Sequence, residues 1–225
     1  GTALIATSGR VFSLRFKNVD TDEYEVKEYK NVASFIDGAN IQTIVRYEGK
    51  LWIGTDIGGI LCLEGDSITS NYSVENSKIN FNNISTFYVD SDNILWVGTL
   101  GGGLNRYDRE SDSFRMIDSV RPISDNIIYS VIEDDFGMLW MATGKGIVRM
   151  DKDNYSLVRL FTENDGVKNT QFMPGSVCKL SDSTIIFGGY NGVDCYLPNK
   201  ANDDVREFKT AVVEVSIMNE SMKSL

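Results

Sequence analysis

The side chains that most often carry out chemistry are scarce in this sequence. No histidine occurs among its 225 residues, so the commonest general base and the commonest zinc ligand are missing together. Ser-His-Asp, Cys-His and His-Glu-x-x-His chemistry are thereby excluded for this chain. Cys62, Cys178 and Cys195 stand apart in apolar surroundings without Cys-x-x-Cys spacing, and they read as small buried side chains. A disulfide between Cys178 and Cys195 is disfavoured, because the repeat described below puts one strand between them. The remaining candidates are carboxylates gathered in turns, Asp90-Ser91-Asp92-Asn93 and Asp134-Asp135-Phe136-Gly137. Clustered Asp oxygens suit a hard cation such as calcium. Asp and Asn side chains capping a tight turn explain the same pattern without a metal, and a sister turn manages with Tyr47-Glu48-Gly49. Because Asp and Glu fall mostly in these repeated turns, no catalytic residue, metal or cofactor is expected.

Composition narrows the partners. A formal net charge of -10 argues against nucleic acid, whose phosphates need a concentrated basic surface. Apolar residues at 42% and charged residues at 24% are ordinary for a globular protein that buries a sizeable core. No run approaches the roughly 18 apolar residues of a membrane helix. The chain opens inside a repeat at Gly1, which reads as a boundary within a longer protein.

The elements that must position these groups come from an internal repeat. Leu51-Trp52-Ile53-Gly54-Thr55, Leu95-Trp96-Val97-Gly98-Thr99 and Leu139-Trp140-Met141-Ala142-Thr143 are flanked by the degenerate copies Ala3-Leu4-Ile5-Ala6-Thr7 and Ile185-Ile186-Phe187-Gly188-Gly189. The Trp register, 4, 52, 96, 140 and 186, gives intervals of 48, 44, 44 and 46 residues, in the range of four-stranded propeller blades. An alternating β-branched run precedes the Trp strand in three copies (Ile41 to Tyr47, Ile84 to Asp90, Ile128 to Glu133), and glycines for a tight hairpin follow it. A third strand and a more polar fourth strand complete each period. The expected fold is therefore all-β, a β-propeller of about five repeats over residues 1–208. The first blade lacks its innermost strand, and an extended segment fills residues 209–225. Residues shared between blades, such as the Trp and the Asn40, Asn83 and Asn126 before innermost strands, serve the blade. A specific site must come from positions where blades differ.

The pattern Asp-x-x-Gly-x-Leu-Trp, Gly-Thr, Gly-Leu and Arg-Tyr-Asp, best seen over Asp134 to Asp151 and Leu95 to Asp108, resembles the two-component regulator propeller repeat. The stretch Phe161 to Val167, then Asn169, Gln171-Phe172, Gly175-Ser176, Phe187-Gly188-Gly189, Asn191-Gly192 and Pro198, is similar to the final blade of Bacteroides-type hybrid two-component sensors. Lys209 to Asn219 resembles the opening strand of the β-sandwich that follows the propellers there. The resemblance implies a periplasmic sensor region that detects an oligosaccharide or glycan fragment. It also implies a homodimeric parent receptor, a downstream membrane helix and a cytoplasmic histidine kinase. Propellers of that family usually have seven blades, so this chain reads as the C-terminal part of one; closure into five blades, or completion by another chain, stays open.

In a propeller the loops from second to third strand, and from fourth strand to the next blade, share one end. That end gathers Arg10, Asn82, Asp125, Lys145, Asn169, Gln171, Tyr190 and Asn191. Guanidinium, amide and aromatic groups of this kind suit sugar hydroxyls and ring faces, although loops are polar in any case. A protein-interaction scaffold without a small-molecule ligand is the alternative function, and an enzyme using a carboxylate pair or a tyrosine base is a third.

Overall fold

The computed structural model describes residues 2–7, 9–18, 23–36, 38–120, 125–198, 215–217 and 220–222. Alternation with a period of two runs through the repeat, and both phases are apolar in the Trp strands. Such strands must be covered on both faces, and the architecture supplies that cover by stacking sheets.

Three four-stranded antiparallel sheets occupy the middle of the chain. They are β4–β7 (Ile41–Tyr47, Lys50–Thr55, Ile60–Glu64, Ser67–Tyr72), β8–β11 (Ile84–Val89, Leu95–Thr99, Gly103–Asp108, Ser113–Met116) and β12–β15 (Ile128–Glu133, Met138–Thr143, Gly146–Asp151, Leu157–Phe161). A three-stranded sheet precedes them, β1–β3 (Thr2–Ala6, Val11–Asn18, Glu23–Glu28), and another follows, β16–β18 (Phe172–Lys179, Ile185–Gly189, Gly192–Tyr196). Strands pair in simple up-and-down order, and the innermost strands β4, β8, β12 and β16 approach one another around a common axis. These are blades of a β-propeller. As the repeat indicated, the first blade shows no innermost strand among the described residues. A short helix, α1 (Val32–Phe35), joins it to the second.

The core is divided among the seams between blades. Leu4 packs with Leu51, Ile53 and Leu61 of the second blade; Trp52 meets Ile84, Leu95 and Val97 of the third. Trp96 meets Ile128, Leu139 and Met141 of the fourth, and Trp140 meets Ile185 and Phe187 of the fifth. Each Trp-register side chain thus wedges against the following blade, and all three indoles are buried. The residue two places on must be small. A Cβ on Gly98 would lie 2.8 Å from Ile128 Cγ2, and one on Gly54 would lie 2.6 Å from Ile84 Cγ2. Glycine there lets the next innermost strand close on the sheet.

The same logic corrects the reading of the cysteines. Cys62 is buried in the seam behind Trp52, but Cys178 and Cys195 are exposed. Both stand opposite Ile186, the Trp-register residue of the last blade, on the face that a following blade covers in every earlier repeat. Because β17 runs between them, they are not bonded to each other. Val193 and Leu197 of that blade, and Ile5, Phe16, Tyr24 and Val26 of the first, are likewise exposed. Of the segment 209–225, only an antiparallel pair, β19 (Val215–Ile217) and β20 (Glu220–Met222), is described; the reading of that segment as the start of a sandwich otherwise lies outside the described residues.

Candidate ligand-binding end of the blades

The threonine that recurs at the end of β5, β9 and β13 builds the hairpin that reaches one end of the propeller. Thr55, Thr99 and Thr143 donate through Oγ1 to the carbonyls of Gly59, Gly103 and Gly146 at 3.0, 2.9 and 2.9 Å. The same hydroxyls accept the N–H of Gly58, Gly102 and Lys145 at 2.8, 2.9 and 3.2 Å. The hairpins are therefore rigid platforms, and variable residues such as Lys145 ride on them.

Within the fourth and fifth blades this end forms an open cavity of about 330 Å³, lined by Lys145, Thr162, Glu163, Asn164, Asn169 and Thr170 among others. Lys145 Nζ lies 2.9 Å from Asp125 Oδ1, so two of the expected residues form one ion pair at the cavity edge. Asn169 is buried and fully engaged. Its Nδ2 donates to Asp194 Oδ2 at 2.7 Å and its Oδ1 accepts the Asn191 N–H at 2.8 Å. Asp194 also accepts the Lys168 N–H at 2.8 Å. Asn169 thus ties the long loop before β16 to the β17–β18 hairpin. Tyr190 at the tip of that hairpin is 71% exposed, and its N–H donates to the Gln171 carbonyl at 3.3 Å. Burial, with Tyr190 adding to it, raises the neighbouring Tyr129 phenol above its ordinary value.

The other two expected residues sit on different blades. Arg10 pairs with Glu28 at 3.0 Å on the first blade. Asn82 accepts the Val74 N–H through Oδ1 at 2.9 Å, and its carbonyl accepts the Gly59 N–H at 3.0 Å, which makes it a loop fastener. Of the eight expected residues, Lys145 and Asn169 line the cavity; Asp125, Gln171, Tyr190 and Asn191 lie around it on the same two blades, and Arg10 and Asn82 are on other blades.

The turn carboxylates have internal work. Asp90 Oδ1 accepts the N–H groups of Asp92 and Ile94 at 3.0 and 2.9 Å, and Asp134 Oδ1 those of Phe136 and Met138 at 2.8 and 2.9 Å. Their second oxygens take the indole N–H groups of Trp96 and Trp140. Turn capping and the indole bond together account for both oxygens without a cation. Sequence reasoning passed over a second cluster. Tyr72 and Tyr107 both donate to Asp112 Oδ1 at 2.6 Å, beside an open cavity of about 600 Å³ between the second and third blades. The two phenols, Tyr107 first, hold the Asp112 carboxyl below its ordinary range. Burial and then Asp112 push Tyr72 up to about 12. Spacing offered no signal for this cluster, because the three residues come from two blades.

Comparison with known proteins agrees with this architecture. Residues 78–101 match the two component regulator propeller family. The histidine kinase P4 of Formosa agariphila is 24% identical over 94% of this chain, which spans 19% of that kinase. Among solved structures, the extracellular domains of two hybrid two component systems of B. thetaiotaomicron superpose with TM-scores of 0.63 and 0.54, each at 17% identity. The chain is covered to 88% and 96%, and it spans 28% and 36% of those domains. Virginiamycin B lyase from Staphylococcus aureus shares the fold at TM-score 0.57 and 16% identity, over 85% of this chain and 64% of the lyase. A variant of that lyase in which one histidine is replaced by alanine is catalytically inactive.

Proposed function

We propose that this chain is the ligand-sensing propeller region of a hybrid two-component sensor, on the periplasmic side of its membrane. In this reading the fourth and fifth blades take a glycan or oligosaccharide fragment, and binding is relayed to a cytoplasmic histidine kinase. The observation that carries it is the end cavity of about 330 Å³, where the Lys145–Asp125 pair and backbone-rich loops lie on the same end as the exposed Tyr190 ring. Polar rims with an aromatic face suit sugar rings. The similarity to histidine kinase and hybrid two-component extracellular regions supports the sensor role. A non-enzymatic role is supported by the lack of histidine in a fold whose lyase member is inactivated by loss of one, and by turn carboxylates already engaged in hydrogen bonds.

The last blade offers the shortest path from such a site toward the segment after Pro198. A ligand shifts only an equilibrium between states that it binds differently, and stacked blades favour rigid-body reorientation over bending. The test is a panel of oligosaccharides titrated into the chain, followed by kinase output from the full receptor carrying Tyr190→Ala, Gln171→Ala or Lys145→Ala. A roughly tenfold loss of affinity, the scale of one charged hydrogen bond, is expected for at least one variant, with a matching loss of signalling. Unchanged affinity and signalling in all three would remove this end as the site.

A further inference from the structure

On the opposite end of the blades, two arginines are placed in a way that the fold alone does not explain. Arg106 on β10 and Arg115 on β11 are directly opposed cross-strand partners. Like charges so placed repel. The fourth blade repeats the arrangement, with Arg149 opposite Arg159, but there each has a carboxylate: Asp134 at 3.5 Å and Asp165 at 2.8 Å. In the third blade the equivalent carboxylate, Asp90, accepts from Trp96 just as Asp134 does from Trp140, but it forms no ion pair with Arg106 among the described residues. Arg106 and Arg115 turn instead to Tyr155 of the next blade. Arg106 Nη1 donates to the Tyr155 hydroxyl at 2.9 Å, and the Arg115 guanidinium lies 5.5 Å from its ring centroid. The buried Nε of Arg106 has no hydrogen-bond partner among the described residues.

Tyr155 itself has φ 61°, a left-handed conformation costly for a bulky side chain. The pair lines an open cavity of about 500 Å³ with Tyr47, Tyr107, Asp92 and Asp108. The nearby acids hydrogen-bond elsewhere, and after the Ser111 and Glu110 bonds the Arg106 charge also lowers the Asp108 carboxyl. Asp92 is 2.6 Å from Lys152; Asp108 accepts the Glu110 N–H and the Ser111 hydroxyl at 3.1 and 2.7 Å; Glu48 holds Arg109 at 2.7 Å. Glu110 is the remaining carboxylate of the rim.

We infer that Arg106 and Arg115 form a binding site for the oxyanion group of a small polar ligand, a carboxylate or a sulfate ester. One anion between the two guanidinium forks relieves the repulsion that the fourth blade relieves with Asp134 and Asp165. The site is separate from the glycan-binding end and does not depend on it.

Titration calorimetry of the chain with glucuronate, sodium sulfate and neutral glucose tests the inference. Both anions should bind saturably and glucose should not. Arg106→Gln and Arg115→Gln should each weaken anion binding at least about tenfold, while Arg15→Gln, an equal charge change on an exposed strand of the first blade, should leave it unchanged. Because a substitution at Arg106 can also disturb packing, NMR of the unaltered protein provides an independent readout. The Arg106 Nε–H resonance should move along the same saturation curve. A motionless resonance, anion binding equal in all variants, or glucose binding as well as glucuronate would overturn the assignment.

Discussion

The indole Nε1 of Trp140 donates to Asp134 Oδ2 at 2.8 Å, six residues back in the chain, and Trp96 makes the same 2.8 Å bond to Asp90. One carboxylate thereby fastens a turn and orients the wedge that fills the next seam. In the second blade the turn is shorter and Tyr47 occupies the Asp position, so the buried Trp52 Nε1 has no hydrogen-bond partner among the described residues. Trp52 is held instead by the rings of Tyr47, Tyr72 and Tyr107, with centroids at 5.9, 5.7 and 4.9 Å.

This difference is measurable by urea denaturation. Trp96→Phe removes a satisfied N–H and strips a donor from a buried carboxylate, whereas Trp52→Phe removes a donor that had no partner. The first substitution should cost about 1–3 kcal/mol more than the second. Equal losses would show that ring volume alone sets the value of the wedge.

Close approach at the Trp strand predicts a steric effect. Gly98→Ala sets a methyl 2.6 Å from Thr86 Cγ2 and 2.8 Å from Ile128 Cγ2, and should destabilise by about 1–3 kcal/mol through overpacking. Ala142, the fourth-blade counterpart, already carries that methyl. A thermal melt unchanged by Gly98→Ala would refute the close-packing argument.

Lys152 joins two blades from within. Its Nζ lies 2.5 Å from Glu133 and 2.6 Å from Asp92, and Glu133 also accepts the Ser91 N–H at 2.7 Å. Burial raises the Glu133 carboxyl, but Lys152 and Ser91 outweigh it and hold the group below its ordinary range. Lys152→Met should cost about 3–5 kcal/mol by stranding a buried carboxylate, and adding Glu133→Gln should recover much of that loss. Strict additivity in this double-mutant cycle would exclude the coupling.

The Asp112 cluster predicts sensitivity at both extremes of pH. A carboxyl whose folded value is depressed contributes stability above its unfolded value, about 3.9, and loses it as pH falls through the folded value. A phenol whose folded value is raised contributes fully below about 10, and for Tyr72 that contribution disappears as pH rises toward about 12. Asp112→Asn should flatten the acid limb of the stability–pH curve and only reduce the alkaline one, because burial comes before Asp112 in raising Tyr72. An unaltered acid limb would count against the carboxylate's role.

Thiol reactivity separates the three cysteines. Cys178 and Cys195 should react with a neutral thiol reagent in the native protein, and Cys62 only after unfolding, since burial pushes its thiol up and hides it. Three thiols reacting at one rate would contradict the seam assignment of Cys62.

The number of blades, the strand order and the buried Trp register were legible in the sequence, because each repeat must solve the same packing problem with the same residues. A Trp-register position every 44 to 48 residues, held by Trp52, Trp96 and Trp140 in three of the five copies and followed by a small residue and Thr in those three, is one blade written repeatedly. The division of Asp125, Lys145, Asn169, Gln171, Tyr190 and Asn191 from Arg10 and Asn82 was not legible, since all eight are polar loop residues at one end. Only the stacking of adjacent blades places a cavity between Lys145 and Asn169. The exposure of Cys178 and Cys195, and the pairing of Arg106 with Arg115, were likewise decided by tertiary structure. Whether a blade face is covered, and whether a charge finds its partner, depends on what the neighbouring blade presents, and local sequence does not encode that neighbour.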